Sequence, residues 1–387
     1  MTLPRVALLS KRPSLQGTYR RDPFELLRAV GWNTGNLAFI HAVTNHLQNE
    51  VVYYDWDFDP DEVNESCDFV LLVCANMLAP ALDLTALASS LGRLRKPLSA
   101  VSIGVQGTLG ATDFPLQPGT RRALDTIASG CASFCIRGER AAGLLDQLGI
   151  HNWRVIGCPS NFLNPDPGLG AQVLTRSLAA GAAQHLAVHV DWLKNDTARA
   201  MQHMRRLAPG ADLDYFVQAP FGLFELARLR PPAVPTDEQI SQLVNVFGWR
   251  ETEDPLSFVR RHIRTYLDVE CWMDAMTQYE ASIGFRLHGN ILAHQAGVPS
   301  VIVAHDERVA ELAEAIAMPM VRLPQFYDLA TLHAVMDCAL PTLAAYDDRR
   351  ATLMAAYLRW FKDNGLEPSA ALTPYARAVY PTATGIE

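Results

Sequence analysis

An arginine and a histidine stand two residues apart in the stretch GFRLHGNILAHQAGVPSVIV, residues 284–303. Arg286 is a permanent planar cation, and the imidazole of His288 titrates near neutral pH. The residues before them are typical of a buried strand, and those after them are typical of a helix. A core strand has no use for either side chain, whereas a site for a phosphate or a carboxylate has use for both. The pattern therefore predicts a site for a small anion.

The flanking residues predict the elements that position this pair. A strand is expected over residues 281–285, a short helix over 289–296 and a further strand over 300–304. Gly297 suits the end of the helix, and Pro299 cannot continue it. The two charged residues then lie at the carboxyl edge of a sheet, which is where α/β proteins bind their ligands.

The tripeptide between strand and helix is expected to be an extended loop. Alternation then places Arg286 and His288 on one side, facing a cleft, and Leu287 on the other, facing the core. Gly289 and Asn290 would begin a helix whose free N–H groups favour an anion. In the alternative interpretation, Arg286 pairs with a carboxylate at a domain interface and His288 caps a helix. The placement before Gly-Asn and a helix favours the anion site.

Two other junctions carry candidate ligands. Arg137 ends a strand predicted over 132–137, which points its side chain into the cleft; an exposed arginine at a helix entry is the alternative. In the segment NTGN, small polar residues stand where a loop joins a helix. Asn33, Gly35 and Asn36 are therefore candidates for holding an acceptor or a phosphate, although plain helix capping explains them equally well.

Asp191 and Trp192 follow a strand predicted over 185–190 and are expected at another edge of the cleft. Trp192 is a candidate for stacking on a sugar ring, and an exposed rim aromatic without a ligand is the alternative.

Short apolar runs alternate with helical patterns along most of the chain, which indicates parallel sheets covered on both faces. We predict an α/β fold of two doubly wound, Rossmann-like domains that face each other across a cleft. The segment 161–172, rich in Pro, Gly and Asn, is the expected linker. The predicted units are an N-terminal domain over 1–165, a C-terminal domain over 180–335 with the Arg-x-His site, and a helical segment over 340–387 that packs back across both.

Composition limits the classes of function. The chain has 387 residues, of which 49% are hydrophobic and 19% are charged, so it is globular with material for two cores. Its formal net charge is −8 and it has no run of Lys or Arg, so nucleic-acid binding is not expected. The seven scattered cysteines predict free thiols. The N-terminal apolar run is too short for a signal peptide, and a cytoplasmic protein is expected, with attachment to the inner face of a membrane as an alternative.

Four segments together resemble the polysaccharide pyruvyl transferase family. The residues 283–309, IGFRLHGNILAHQAGVPSVIVAHDERV, resemble the family's strand that ends in Arg-x-His and is followed by a short helix, Gly-x-Pro and a strand. FCIRGERAAGLLDQLGI (134–150), VIGCPSNFL (155–163) and WNTGNLAFIHAV (32–43) resemble three further family segments. The likeness extends over about residues 30–325.

The chain departs from the family pattern at three places. Asn36 stands where the family has an acidic residue, and Gly138, followed by Glu139, stands where Asp is usual. The segment 305–308, which ends in Arg308, stands where a Tyr-Asp-x-Lys-like segment is usual. These departures leave the acceptor sugar open.

The resemblance implies a transferase that moves the enolpyruvyl group of phosphoenolpyruvate onto two hydroxyls of one sugar, forming a cyclic pyruvate ketal in the synthesis of a surface polysaccharide or exopolysaccharide. It also implies a GT-B-like fold and an acceptor that is a saccharide or a lipid-linked saccharide. Phosphoenolpyruvate needs several cations in a small space, and Arg286, His288, Arg137 and Arg308 are expected to supply them. We expect His288 to be a general acid or a phosphate ligand.

No cofactor is expected, since phosphoenolpyruvate is itself the donor substrate. No metal is expected either, because the sequence has no Asp-x-Asp motif and no His/Asp cluster at ligand spacing. A homo-oligomer remains an open alternative.

Two rival functions stay open. A sugar-nucleotide glycosyltransferase or epimerase of GT-B type usually has a ribose-binding Glu on the helix after the site, and residues 289–296 contain no acid. A non-catalytic binding protein on the same fold is the second rival, which the joint presence of Arg286, His288 and Arg137 disfavours.

Overall fold

A computed structural model describes residues 3–106, 114–180, 183–193 and 196–379. The outermost residues of the predicted terminal units, 1–2 and 380–387, lie outside the described residues.

The described strands are, in chain order, β1 (Val6–Leu9), β2 (Val51–Tyr54), β3 (Phe69–Val73), β4 (Leu98–Val101), β5 (Phe134–Ile136), β6 (Trp153–Val155), β7 (His185–Val190), β8 (Asp212–Val217), β9 (Ile263–Arg264), β10 (Ala281–Gly284), β11 (Ser300–Ala304) and β12 (Met320–Arg322).

The described α-helices are α1 (Pro23–Ala29), α2 (Asn36–His46), α3 (Pro60–Ser66), α4 (Thr85–Leu91), α5 (Pro118–Gly130), α6 (Glu139–Gln147), α7 (Leu169–Ala180), α8 (Thr197–Leu207), α9 (Phe221–Ala227), α10 (Asp237–Gln242), α11 (Pro255–His262), α12 (Val269–Met276), α13 (Leu287–Gln295), α14 (Glu307–Ala315), α15 (Leu323–Asp328), α16 (Leu332–Leu343), α17 (Tyr346–Asp363) and α18 (Thr373–Val379). Short 3-10 turns lie at Thr18–Arg20, Pro159–Phe162 and Ala370–Leu372, and a π-helical turn lies at Leu243–Phe247.

The first sheet is parallel and has the order β2-β1-β3-β4. The chain leaves β1 for β2 on one side and returns to add β3 and β4 on the other, so the order reverses between β1 and β3. The parallel pair β5-β6 continues this layer through a bridge between Ile103 and Ile136. Strand β1 is fully buried, as expected for a central parallel strand covered on both faces.

The second sheet is also parallel and has the order β12-β11-β10-β7-β8-β9. Strands β7, β8 and β9 extend in one direction, and β10, β11 and β12 extend in the other, so its order reverses between β7 and β10. Ligands of open α/β sheets bind at such reversal points, outside the carboxyl ends of the strands. The predicted α/β fold with parallel sheets is confirmed.

The two halves share part of their cores. One apolar cluster covers a face of the first sheet and contains Leu71 of β3, Ile302 of β11 and Trp360 of α17. Helix α17 therefore packs against apolar side chains from both halves. Separate clusters cover the other face of the first sheet and most of the second sheet.

A fully buried arginine on α17 fixes the segment between the sheets. Arg350 is 0% exposed, and its guanidinium donates to the backbone oxygens of Asn161, Asn164 and Asp166. It also donates to Gln295 Oε1 of α13 at 3.2 Å. These bonds hold the segment 161–166 against both α17 and α13.

The start of α13 differs from the sequence-based expectation. The prediction of an extended loop over 286–288 is wrong, because only Arg286 keeps an extended backbone (φ −96°, ψ 113°) as the N-cap. The N–H of Asn290 bonds to the Arg286 oxygen at 3.3 Å, which closes the first helical turn there. Leu287 and His288 therefore belong to the helix.

Two other segments contain helices that the sequence did not predict clearly. The expected linker over 161–172 contains the start of α7, where the Asp347 carboxylate of α17 accepts the N–H groups of Gly170 and Ala171 at 2.7 and 3.0 Å. The segment 221–262, which the sequence left ambiguous, forms α9, α10, the π-helical turn and α11. Among the described residues, no helix combines the length and the apolar character needed to cross a bilayer.

Candidate active site

A cavity lies between the carboxyl ends of the two sheets, at the reversal point of the second sheet. Its volume is about 720 Å³ when the solvent-filled space at its opening is included. We call it the arginine cavity, after Arg137, Arg286 and Arg308 in its wall. The predicted site residues that line it are Asn33, Asn36, Arg137, Asp191, Arg286, His288 and Arg308.

Arg137 follows β5 and is only 7% exposed. Its Nε donates to Ser102 Oγ at 2.9 Å and its Nη1 donates to Asn76 Oδ1 at 3.3 Å. Its Nη2 is buried and has no hydrogen-bond partner among the described residues. A buried donor without an acceptor costs ~1–3 kcal/mol, so an anion in the cavity would satisfy a group that is otherwise unpaired.

Arg286 lies at the end of β10 and contacts a carboxylate. Its Nη2 is 2.6 Å from Asp191 Oδ1 and donates to the Ala219 oxygen at 3.2 Å. The pairing of Arg286 with a carboxylate, which was the alternative to an anion site, is therefore present. The Nε of Arg286 is nevertheless buried without a partner within the described ranges. Burial raises the pKa of Asp191, although Arg286 beside it acts in the opposite direction.

His288 stands in the first turn of α13, and its Nε2 lies 3.6 Å from Cys158 Sγ. Burial lowers the pKa of His288 well below its ordinary value, and the charges of the three cavity arginines act in the same direction. The imidazole is therefore neutral in the empty cavity. Bringing an anion to the arginines offsets their charge and raises the pKa of the imidazole again.

Arg308 lies in the first turn of α14, and its side chain is 38% exposed, more than those of Arg137 and Arg286. Its Nη2 donates to Asp306 Oδ2 at 3.2 Å, and Asp306 also caps α14 by accepting the N–H of Val309 at 2.8 Å. Arg308 is therefore the most exposed of the three arginines in the cavity wall.

Residues at the start of α13 position the cavity wall. The side chain of Asn290 is fully buried and donates to the oxygens of Gly284 and Arg286 at 3.1 and 3.0 Å, while it accepts from Ser282 Oγ at 3.0 Å. It thereby fixes the turn from β10 into α13 and does not line the cavity. The first N–H groups of α13, which have no acceptor within the helix, are the anion-favouring groups that the sequence assigned to this junction.

Gln218 follows β8 and connects the two halves beside the cavity, which it lines. The backbone oxygen of Gln218 accepts the Thr34 N–H at 3.2 Å. A Cβ atom on Gly35 would lie 2.3 Å from Gln218 Oε1, and one on Gly289 would lie 2.7 Å from its Nε2. Both predicted glycines therefore permit a close approach between the halves, and neither lines the cavity.

The remaining predicted residues come from the loop before α2 and the end of β7. Asn33 Oδ1 accepts the Gly35 N–H at 2.9 Å, and Asn36 Nδ2 donates to the oxygens of Val30 and Gly31 at 3.0 and 3.1 Å. These bonds hold the loop in shape and leave Asn33 and Asn36 in the wall of the cavity. Trp192 is 49% exposed beside Asp191 and does not line the cavity.

Three lining or adjacent residues were missed from the sequence. Asn76, after β3, and Gln218, after β8, stand where strands end, so the rule that selected Arg137 also applies to them. Glu311 of α14 lines the cavity, and burial raises its pKa. No sequence signal marks it, because it occupies an ordinary position on an amphipathic helix. Within the described ranges, no three His, Cys, Asp or Glu side chains are grouped so that they could hold a metal ion.

The model of a family described as polysaccharide pyruvyl transferase matches residues 33–307. No curated protein matches the chain.

Several solved structures are similar to the chain in fold at low sequence identity. S. aureus MnaA in complex with UDP has 12% identity and a TM-score of 0.47, with 94% of this chain and 99% of that chain covered. UDP-GlcNAc 2-epimerase from Neisseria meningitidis, bound to UDP-GlcNAc, has 9% identity and a TM-score of 0.44, with 92% and 99% covered. The H444N variant of the wall teichoic acid polymerase TagF has 11% identity and a TM-score of 0.40, with 92% and 87% covered.

Proposed function

The chain belongs to the polysaccharide pyruvyl transferase family, and from this premise we propose that it transfers the enolpyruvyl group of phosphoenolpyruvate onto two hydroxyls of one sugar. The products are a cyclic pyruvate ketal on the sugar and inorganic phosphate. The acceptor belongs to a surface polysaccharide or to its lipid-linked precursor.

One observation carries the proposal: three guanidinium groups line one cavity at the carboxyl edge of a sheet. The only nearby carboxylates that line the same cavity, among the described residues, are Asp191 and Glu311. Phosphoenolpyruvate concentrates a phosphate and a carboxylate on three carbon atoms, and planar guanidinium groups bind both with paired hydrogen bonds. The unpaired N–H groups of Arg137 and Arg286 support such a ligand.

The arginines and α13 have separate roles in donor binding. Arg137 and Arg286 are buried and bonded to fixed neighbours, so they orient the anionic groups. Arg308 is the more exposed cation and joins them from α14. The N-terminus of α13 adds backbone donors, and its partial positive charge favours the phosphate.

The proposed reaction needs three proton movements. A proton adds to the methylene carbon as the first sugar hydroxyl forms a bond to the central carbon, and that hydroxyl loses its proton to a base. The bond to the phosphate oxygen then breaks, and the second hydroxyl forms its bond and passes its proton to the leaving phosphate. His288, neutral in the empty cavity, is the proposed base.

A carboxylic acid is the proposed source of the proton on carbon. Burial raises the pKa values of Asp191 and Glu311, and a bound trianion raises them further by repulsion. In this proposal His288 has the role of the base or of a phosphate ligand. The likeness to sugar-nucleotide enzymes concerns the fold alone and supplies no residue for a nucleotide.

The test is stabilisation by the donor. Phosphoenolpyruvate at ~100-fold excess over its Kd should raise the free energy of unfolding by about 2.7 kcal/mol. Arg308→Gln, which changes an exposed side chain, should weaken this effect without unfolding the protein, and so should Arg286→Ala. Arg322→Gln is the matched control, because Arg322 pairs with Glu307 and Glu314 outside the cavity.

Turnover is tested with β-galactoside, mannose and N-acetylmannosamine acceptors, by release of phosphate from phosphoenolpyruvate and by the mass of the acceptor. Equal stabilisation of wild type and the two cavity variants would falsify the donor site. Turnover of a nucleotide sugar in place of phosphoenolpyruvate would establish the rival glycosyltransferase or epimerase.

A further inference from the structure

A second pocket opens at the carboxyl edge of the first sheet. Its volume is about 720 Å³ when the solvent-filled space at its opening is included. Polar side chains in its wall come from Ser10 and Lys11 after β1, Asp55 after β2, Asn36 of α2 and Asn76 after β3. We call it the first-sheet pocket.

The position of this pocket follows from the sheet topology. The order of the first sheet reverses between β1 and β3. The pocket is lined by Ser10, directly after β1, and by Cys74, directly after β3, so it lies at that reversal point. The arginine cavity lies at the corresponding point of the second sheet, with Asp191 after β7 and Phe285 after β10. Each sheet therefore places one ligand-sized space at the position where such sheets bind ligands.

The two spaces are adjacent. Asn36, Ala75 and Asn76 line both of them and form a shared wall. Asn76 Oδ1 accepts from Arg137 Nη1 at 3.3 Å, so its orientation is set from the cavity side. A ligand in the first-sheet pocket therefore lies next to a ligand held by Arg137.

The lining of the pocket combines an apolar floor with a polar mouth. The floor contains Phe39, Ile40 and Leu82, and Trp56 lines the pocket with its indole Nε1 donating to the Leu9 oxygen at 3.2 Å. That bond fixes the orientation of the ring. Aromatic and aliphatic surfaces suit the C–H faces of a pyranose ring, whereas amides and hydroxyls suit its hydroxyl groups.

The charges at the mouth indicate an uncharged ligand. Lys11 Nζ forms an ion pair with Asp55 Oδ2. The pair contributes no net charge, and its two members offer a donor and an acceptor for sugar hydroxyls. Because Lys11 is already paired with Asp55, a uronic acid could reach the lysine only by displacing Asp55, and it would meet that carboxylate with like charge. An uncharged sugar is therefore favoured.

We propose that the first-sheet pocket binds the acceptor as an uncharged hexopyranose unit, held by the Lys11–Asp55 pair and Trp56, with its reacting hydroxyls directed past Asn36 and Asn76 toward the arginine cavity. This inference rests on the proposed function for the identity of the neighbouring donor. The binding of the sugar itself is measured without the donor.

Sugar binding is tested by saturation-transfer NMR with the methyl glycosides of galactose, mannose and N-acetylmannosamine, and with methyl glucuronide. At least one uncharged glycoside should bind, and the glucuronide should bind more weakly. Asp55→Asn and Trp56→Ala should each weaken binding about tenfold, the factor expected for a lost hydrogen bond to a charged group or a lost ring contact. Asp57→Asn, an exposed carboxylate outside the pocket, should leave it unchanged.

Three results would overturn the inference: no uncharged glycoside binds, Asp55→Asn and Trp56→Ala bind as wild type does, or the glucuronide binds as tightly as the uncharged sugars. The affinity of each variant for phosphoenolpyruvate, measured by calorimetry, should equal that of wild type. If wild type fails to bind phosphoenolpyruvate, the proposed function fails while the sugar measurements still decide the pocket.

Discussion

Burial fixes the charge of single residues in this protein, and the histidines show it best. His46, His189 and His294 are almost fully buried, and burial lowers the pKa of each from 6.5 to about 3. Neither ring nitrogen of His189 has a partner among the described residues. These side chains are neutral in the folded protein and behave as core residues.

The stability of the protein should therefore depend on pH. Below pH 6.5 the unfolded chain protonates these histidines and the folded chain does not, down to about pH 3. Their contribution is fully present above pH 6.5 and is lost as the pH falls, by ~1.4 kcal/mol per pH unit for each histidine. Urea unfolding between about pH 7 and pH 5 measures the slope.

His294→Gln isolates one of these contributions. The variant should show a slope smaller by the share of one proton, because Gln does not titrate. A slope that is identical in the variant and the wild type would contradict the assignment of His294 as a buried neutral imidazole.

Some properties of single residues in the cavity were predictable from the sequence, and others were not. Arg137 and Arg286 lie together in the cavity, at the strand ends where the sequence placed them, and Arg308, a candidate from the family resemblance, lies with them. The neutral state of His288 was not predictable, because it depends on burial and on three charges brought from distant parts of the chain.

Among the secondary-structure elements, α13 depends on a glycine at its first turn. A Cβ on Gly289 would lie 2.2 Å from His189 Nδ1 and 2.7 Å from Gln218 Nε2. Gly289→Ala should therefore displace the N-terminus of α13, lower the free energy of unfolding by ~1–3 kcal/mol and weaken stabilisation by phosphoenolpyruvate. Urea unfolding and donor-induced thermal shifts measure the two effects.

Gly143→Ala is the matched control for this prediction. Gly143 lies inside α6, and a Cβ there meets nothing within 4 Å. Its substitution should stabilise the protein by about 0.5–1 kcal/mol, since alanine favours a helix interior. Equal effects of the two substitutions would show that the close approach at Gly289 is unimportant.

Element boundaries were predictable where apolar runs end sharply. Strands β3, β7 and β11 have the bounds expected from their sequences. The start of α13 was predicted two residues late, because a helix that begins at an arginine without a side-chain cap gives no N-cap signal. The short helices of 221–262 were ambiguous from the sequence. Helix α9 packs against β8, and α11 packs against β8 and β9, and local sequence patterns do not show these contacts.

For the molecule as a whole, Arg350 connects the sheets through the segment between them. Removing its guanidinium would take one donor from each of the backbone oxygens of Asn161, Asn164 and Asp166. Arg350→Met should lower the free energy of unfolding by about 3–5 kcal/mol. Arg359→Met, on an exposed position of α17, should change it by less than ~0.5 kcal/mol.

Chemical denaturation followed by tryptophan fluorescence measures both variants. If Arg350→Met is no less stable than Arg359→Met, the segment between the sheets does not depend on this arginine.

At this scale the sequence predicted two parallel sheets, but it did not predict their strand order or the contacts between them. The contact of Asp191 with Arg286, and the position of Gln218 between Gly35 and Gly289, join residues that are distant in sequence. Local sequence patterns carry no information about such pairs. The shape of the cavity could therefore not be predicted from the sequence.

The wall of Asn36, Ala75 and Asn76 also separates two kinds of position in related chains. Positions in the wall are constrained, and positions that line only the first-sheet pocket are free to change. A substitution in the wall changes both spaces at once, so donor use constrains it. Lys11, Asp55 and Trp56 line only the first-sheet pocket. Descendants of one ancestor should therefore exchange sugar preference by changes at these three positions while keeping the wall, and sequence variation across the family should be concentrated on the side of the wall away from the arginines.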